Sequence, residues 1–192
     1  LLLVRLGVDA LIAVAFWGQM RRYPGIDGPG WWSLAGVLSI AGSVLMMARV
    51  EGAGPLAGAL TALLFSAANA SAWIGLRRYL RRPVPWAVLA VLLAGLLLWH
   101  LGLVVHGDQP RGQQVAYGLS MLMLAALTLH DLLREREQRF PPEYRALAWL
   151  SAFEILWLLG VVGWVLTADH VRDPVAAGFL LVFLLTKFKR AL

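Results

Sequence analysis

One ionisable residue, Glu154, stands inside an otherwise apolar run, WLSAFEILWLLG. It lies nine residues beyond Arg145, which is roughly 13–14 Å along a helix axis. A carboxylate in apolar surroundings must be paired, hydrated or protonated. Two roles fit such a residue: it binds a ligand, proton or signal, or it is a neutral acid that hydrogen-bonds a neighbouring helix and fixes packing.

A second polar position lies at a comparable depth in another apolar segment. Asn69 stands six residues before Gly75, and Ser66 stands three residues before Asn69. Residues three apart share a helix face. The sequence therefore predicts a polar cluster of Glu154, Asn69 and Ser66, with the same choice between function and packing.

A third group of chemically capable residues belongs to the first and fourth apolar segments. Arg5 and Asp9 are four residues apart, a pairing distance on a helix, and Trp99 and His100 are adjacent in the fourth segment. These four side chains are expected to line a small pocket. The alternative is an Arg5–Asp9 ion pair that satisfies itself and a histidine hydrogen-bonded in the core.

Familiar catalytic and cofactor patterns are missing from the sequence. It contains no HExxH, no P-loop, no dinucleotide-binding fingerprint and no Glu-x-x-His pairing. The four histidines do not suggest two imidazoles facing one another across a haem, and without cysteine no thiolate metal site is possible. We predict no catalytic residue, no metal site and no cofactor.

The composition indicates which solvent must surround these residues. Hydrophobic residues make up 60% of the 192 and charged residues 15%, whereas a soluble domain carries roughly 25% charge. A fold of this size could not bury so much apolar surface away from water. We therefore expect an all-α polytopic protein in a lipid bilayer.

Seven stretches approach the roughly 20 apolar residues that a spanning helix needs. Glycine and proline punctuate nearly all the connections between them. The sequence predicts one seven-helix membrane domain over residues 1–192. The predicted spans are 1–20, 31–49, 54–76, 84–106, 113–133, 145–167 and 173–190.

The distribution of cations predicts the direction of threading. Thirteen of the 17 lysines and arginines fall in alternate connections and at the C-terminal end. Because Lys and Arg are retained on the cytoplasmic side, this asymmetry predicts an N-out, C-in topology. A net charge of +6 then reflects orientation and lipid contact rather than nucleic acid. The densest cluster is interpreted as topological anchors, or alternatively as a lipid-headgroup site: Arg77, Arg78, Arg81 and Arg82.

Small residues predict close helix contacts. Ala35, Ser39 and Ser43 recur every four positions, and Gly160 and Gly163 lie together in the sixth predicted span. In lipid, faces of this kind let helix backbones approach closely.

The order of these features resembles the multi-span membrane region of bacterial diguanylate cyclases, the GGDEF-containing signalling proteins. The resemblance rests on GLRRYLRRP at residues 75–83 and on the long segment VVHGDQPRGQQVAYGLSMLMLAALTLHDLLRE at residues 104–135. It covers about residues 31–167. The chain departs from the family pattern at Thr61–Ala62, where the family often has Ala-Asn, and it contains no GG[DE]EF motif.

The resemblance implies a signal-input and anchor module in the bacterial inner membrane, working as a homodimer with a small-molecule or lipid stimulus. The chain would then be a fragment, with a cyclase output domain beyond Leu192. A different class remains open: a small transporter or channel with its polar centre at Glu154 and Asn69. Whether the full-length protein is an enzyme depends on that output domain.

Overall fold

A computed structural model describes residues 2–50, 55–105, 110–135 and 142–167. Within these ranges the chain is all-α, with six helices and the rest in turns, bends and irregular connections. The helices are α1 (Leu2–Arg22), α2 (Pro29–Val50), α3 (Pro55–Tyr79), α4 (Trp86–Val105), α5 (Pro110–Glu135) and α6 (Pro142–Thr167).

Proline begins four of the six helices. Its fixed φ suits the first helical position, where its missing N–H would have no partner in the helix. At the opposite ends, α1 and α3 carry two arginines each in the last turn. The negative end of the helix dipole stabilises cations there. Local sequence thus accounts for most of the boundaries.

Among the described residues, four segments are long and apolar enough to cross a membrane: Pro29–Ala48, Leu56–Tyr79, Trp86–Leu103 and Val115–Arg134. They match four of the seven predicted spans. The first and sixth predicted spans are also helical, as α1 and α6, and α6 contains a shorter apolar stretch, Ala148–Gly160. The seventh predicted span, 173–190, lies outside the described residues.

The chain divides into two compact units, Leu1–Tyr117 and Gly118–Leu192. In the first unit, α2 packs against both α1 and α3, and α3 packs against α4. Helices α1 and α2 run antiparallel, as do α2 and α3, because positions further along one helix contact positions nearer the start of the other. Ser33 reaches Ala13 of α1, for example, and Ser39 reaches Asp9. In the second unit, Gly118 of α5 lies against Val162 of α6.

Apolar side chains cover much of the exterior while polar side chains lie inside. The most apolar segment, Trp86–Leu103, is only 17% buried, and Leu11, Val91 and Val105 are more than 70% exposed. Asp9, Ser43, Ser66 and His100 are, by contrast, 0% exposed. An apolar exterior with polar side chains kept inside is the arrangement expected where lipid replaces water.

Candidate functional site

The interface between α1 and α2 buries a carboxylate. Asp9 is 0% exposed, and Ser39 Oγ of α2 donates a 2.8 Å hydrogen bond to its Oδ2. One turn earlier on α2, Gly36 lies so close to α1 that a Cβ there would be 3.2 Å from the Asp9 carbonyl oxygen. The absence of a side chain at position 36 thus lets the two backbones approach and brings Ser39 within reach of Asp9.

The predicted small face of α2 is confirmed. Ala35, Ser39 and Ser43 are all buried, at 0%, 3% and 0% exposure. Ser33, on the same helix, donates to the Ala13 carbonyl of α1 at 3.0 Å. We call Asp9, Ser33 and Ser39 the polar seam, because its hydrogen bonds join α1 to α2 through the interior.

His100 of α4 is fully buried, and its two ring nitrogens differ in their hydrogen bonding. Nδ1 lies 2.9 Å from the Leu96 carbonyl oxygen of the same helix. Since a carbonyl only accepts, Nδ1 carries the proton, and in the neutral ring Nε2 is an acceptor. Within the described ranges, Nε2 is buried and has no hydrogen-bond partner. Nε2 can therefore accept a hydrogen bond from a donor group that enters the interior of the bundle.

The predicted pocket of Arg5, Asp9, Trp99 and His100 is placed only in part. Asp9 lies at the α1–α2 interface, whereas His100 belongs to α4, which packs against α3. Trp99 is 52% exposed. The side chain of Arg5 lies outside the described part of the chain, so its pairing with Asp9 stays a prediction.

Two residues of the predicted Glu154–Asn69–Ser66 cluster, Asn69 and Ser66, belong to the first unit, and Glu154 belongs to the second. Ser66 is 0% exposed on α3, and Asn69 Nδ2 donates to the Phe65 carbonyl of its own helix at 2.8 Å. Glu154 is 3% exposed on α6, in the second unit. Each residue is therefore at least partly withdrawn from the surface, and their association stays a prediction.

The described part of the second unit contains three buried polar residues outside the predicted sites: Ser120, Asp131 and Ser151. Ser151 is 0% exposed and lies one turn before Glu154 on α6, while Asp131 is 3% exposed on α5. The burial of Asp131 could have been predicted from helix periodicity, because Asp131 lies seven residues, or about two turns, after Leu124, which is also buried. His130, the preceding residue, is exposed.

The four clustered arginines cap α3 through a Schellman motif. The Arg82 N–H donates to the Arg77 carbonyl at 2.7 Å, and the Arg81 N–H donates to the Arg78 carbonyl at 3.0 Å. Arg81 has φ = 54°, the left-handed conformation that usually selects glycine at this position. The cap thus fixes the backbone of all four arginines.

Aromatic rings surround this cap and join the ends of four helices. Trp32 of α2 packs on Tyr79 of α3 with ring centroids 5.7 Å apart, and Trp31 packs on Trp86 of α4 at 5.9 Å. The Arg77 guanidinium carbon lies 5.1 Å from the Trp73 ring centroid. We call this region, where α1 ends, α2 begins, α3 ends and α4 begins, the arginine end of the first unit.

The described residues contain no group of three or more histidine, aspartate or glutamate side chains placed to hold a metal ion. No protein-family model matches the chain, and it matches no curated protein and no solved structure. The resemblance to diguanylate cyclase membrane regions therefore stays a prediction.

Proposed function

We propose that this chain is a membrane-embedded signal-input and anchor module of a bacterial signalling protein. It threads the inner membrane seven times, N-out and C-in, and passes a stimulus through its last helices to a cytoplasmic output domain. A diguanylate cyclase is the proposed output, by the resemblance described above. Such a cyclase requires two copies, so the module is proposed to be a homodimer.

The observation that carries this proposal is the polar seam. A buried carboxylate hydrogen-bonded across two helices, inside a bundle with an apolar exterior, is costly in hydrocarbon and marks a candidate functional position. Hydrogen bonds between membrane helices average only about 0.6 kcal/mol, with a maximum near 1.7. A stimulus that favours one arrangement of α1 and α2 by tenfold contributes about 1.4 kcal/mol. A modest difference in affinity is thus enough to shift this interface.

The proposed direction of threading is supported by the arginine end. Arg21, Arg22, Arg78 and Arg81 are exposed there, and Lys and Arg favour the cytoplasmic face. Asp9 lies seven residues from the start of α1 and His100 five residues from the end of α4, so both fall toward the opposite, outer side. A stimulus from outside would reach these groups first.

A transporter is the second candidate, and it is favoured by the second unit. Glu154 and Ser151 are both almost fully buried on one face of α6. A polar pair at that depth also suits a passage for an ion or a small solute. Flux into liposomes that depends on Glu154 would support this candidate.

Spin labels can test whether the polar seam joins two arrangements of α1 and α2. Because the chain has no cysteine, cysteines introduced at Leu11 and Val37 are unique, and both positions are exposed, at 73% and 53%. We expect Asp9→Asn to change the interspin distance distribution in liposomes. The same variant in the natural full-length protein is expected to change its cellular output, measured as cyclic di-GMP.

The matched control is Thr61→Val. Thr61 is also buried in the first unit, but its hydroxyl donates only to the Ala57 carbonyl of its own helix in the described contacts. Its removal should leave the distances unchanged. Identical distances and output in Asp9→Asn, Thr61→Val and the parent would contradict the proposal.

A further inference from the structure

The backbone of Arg81 suggests that its side chain is used for more than topology. A left-handed residue that ends a helix is usually glycine, since other L-residues crowd Cβ against the following carbonyl oxygen. Arg81 occupies this conformation with φ = 54°. Residues held in disfavoured backbone conformations cluster at binding sites, where the surrounding structure compensates for the strain. Anchoring alone would be served equally by an arginine elsewhere in the connection.

The charges around Arg81 make the arginine end strongly cationic. Its exposed arginines are Arg21, Arg22, Arg78 and Arg81, while Arg77 and Arg82 are half-buried. Asp27 is the single acidic side chain in the described connections at this end of the unit. The first turns of α2 and α4 begin here as well, and helix N-termini add partial positive charge. The electrostatic complement of this surface is a compact anion.

The aromatic residues of the same surface set its depth. Trp17, Tyr79 and Trp86 are between 44% and 50% exposed, and the Arg21 guanidinium carbon lies 5.3 Å from the Trp17 ring centroid. Partly exposed tryptophan and tyrosine belong at the headgroup level of a bilayer. An anion that meets these arginines beside those rings is therefore at the lipid–water boundary, with an apolar portion that enters the membrane.

We propose that the arginine end binds the phosphate headgroup of an anionic phospholipid, and that Arg81 is a direct ligand set in place by the left-handed cap. Arg78, one turn earlier, supplies a second exposed cation. The guanidinium group suits this role because its fork of N–H donors binds phosphate oxygens in pairs. The site does not depend on the proposed signalling role; it requires only that the arginine end meets a bilayer.

Native mass spectrometry of the detergent-purified chain can measure the preference for phosphatidylglycerol over phosphatidylcholine. A cation near an anionic surface contributes about fivefold to binding. We expect Arg81→Gly to lower the preference by about that factor while the helix cap stays intact, since glycine suits the backbone there. Arg81→Lys, which keeps the charge but loses the paired donors, should retain part of the preference.

Arg134→Gln is the matched control. Arg134 is an exposed arginine in the last turn of α5, so its loss changes the net charge equally while every residue of the arginine end is kept. We expect its lipid preference to equal that of the parent chain. An equal fall in Arg81→Gly and Arg134→Gln would show a general charge effect and overturn the proposal.

Two other results would also overturn it. One is an unchanged preference in Arg81→Gly. The other is displacement of phosphatidylglycerol by equimolar glycerol phosphate, since a site for a soluble anion would not need the lipid tails. The proposal predicts that soluble glycerol phosphate fails to compete at that concentration.

Discussion

One added methyl group at Gly75 should disturb the packing of the first unit strongly. A Cβ at residue 75 would lie 2.5 Å from Trp32 Nε1 and 2.6 Å from Trp32 Cδ1. The indole cannot easily retreat, because Nε1 donates to the Ala72 carbonyl at 3.1 Å and the ring packs on Phe16 and Tyr79. Gly75→Ala must therefore displace Trp32 or separate α2 from α3.

The size of the effect follows from three contributions. Overpacking a filled interior costs about 1–3 kcal/mol, and losing the indole hydrogen bond costs about 0.5–1.5 kcal/mol. Replacing glycine by alanine in a helix returns up to about 1 kcal/mol. Together these contributions predict that Gly75→Ala lowers the free energy of unfolding by about 0.5–4.5 kcal/mol.

Gly95→Ala is the matched control. Gly95 lies in the middle of α4, and a Cβ there would meet nothing within 4 Å. This variant makes the same chemical change and should be neutral or stabilising by up to about 1 kcal/mol.

Both variants can be compared with the parent chain by reversible unfolding in mixed micelles of mild detergent and dodecyl sulfate, followed by circular dichroism. Tryptophan emission should also change in Gly75→Ala, since Trp32 moves. Equal unfolding free energies in Gly75→Ala and Gly95→Ala would refute the packing described around Trp32.

Three further changes test the seam, the cap and the second unit. Ser39→Ala should lower the free energy of unfolding by about 0.6–1.7 kcal/mol because the Asp9 carboxylate loses a donor, and an unchanged unfolding curve would count against the α1–α2 hydrogen bond. Arg81→Gly should raise that free energy by about 1 kcal/mol, since it removes left-handed strain, and a destabilised variant in the same assay would count against the cap. Glu154→Gln should leave helix content unchanged in circular dichroism but alter the output of the full-length protein. An unaltered output would leave Glu154 with a packing role only.

Much of the helical pattern could be predicted from the sequence because hydropathy and punctuation are local. The predicted span 84–106 corresponds to α4, Trp86–Val105. The predicted span 54–76 corresponds to α3, and its start lies within one residue of the first helical residue, Pro55. The predicted end of this span, residue 76, is three residues before the end of α3 at Tyr79. Arginines in the last turn interact favourably with the negative end of the helix dipole, so the helix continues to Tyr79. A prediction based on hydropathy ends the span at the first charged residue instead.

The contacts between helices were harder to predict, because they depend on register and rotation. Sequence spacing identified Asp9 as a candidate residue and Ser39 as part of a small face, yet nothing local links α1 to α2. The link requires the close approach at Gly36, which brings Ser39 within 2.8 Å of Asp9. The left-handed backbone of Arg81 could not be predicted either, since glycine or asparagine, not arginine, usually marks that conformation at the end of a helix.

Cysteine accessibility in the membrane is the most direct test of the account, which requires the arginine end to face the cytoplasm. Gly25 is exposed in the connection between α1 and α2, and a Cβ there meets nothing within 4 Å, so Gly25→Cys should fold. Asp108→Cys places the other probe in the connection between α4 and α5. We expect a membrane-impermeant maleimide to label Asp108→Cys in intact spheroplasts and to label Gly25→Cys only after permeabilisation. Rapid labelling of Gly25→Cys in intact spheroplasts would contradict it.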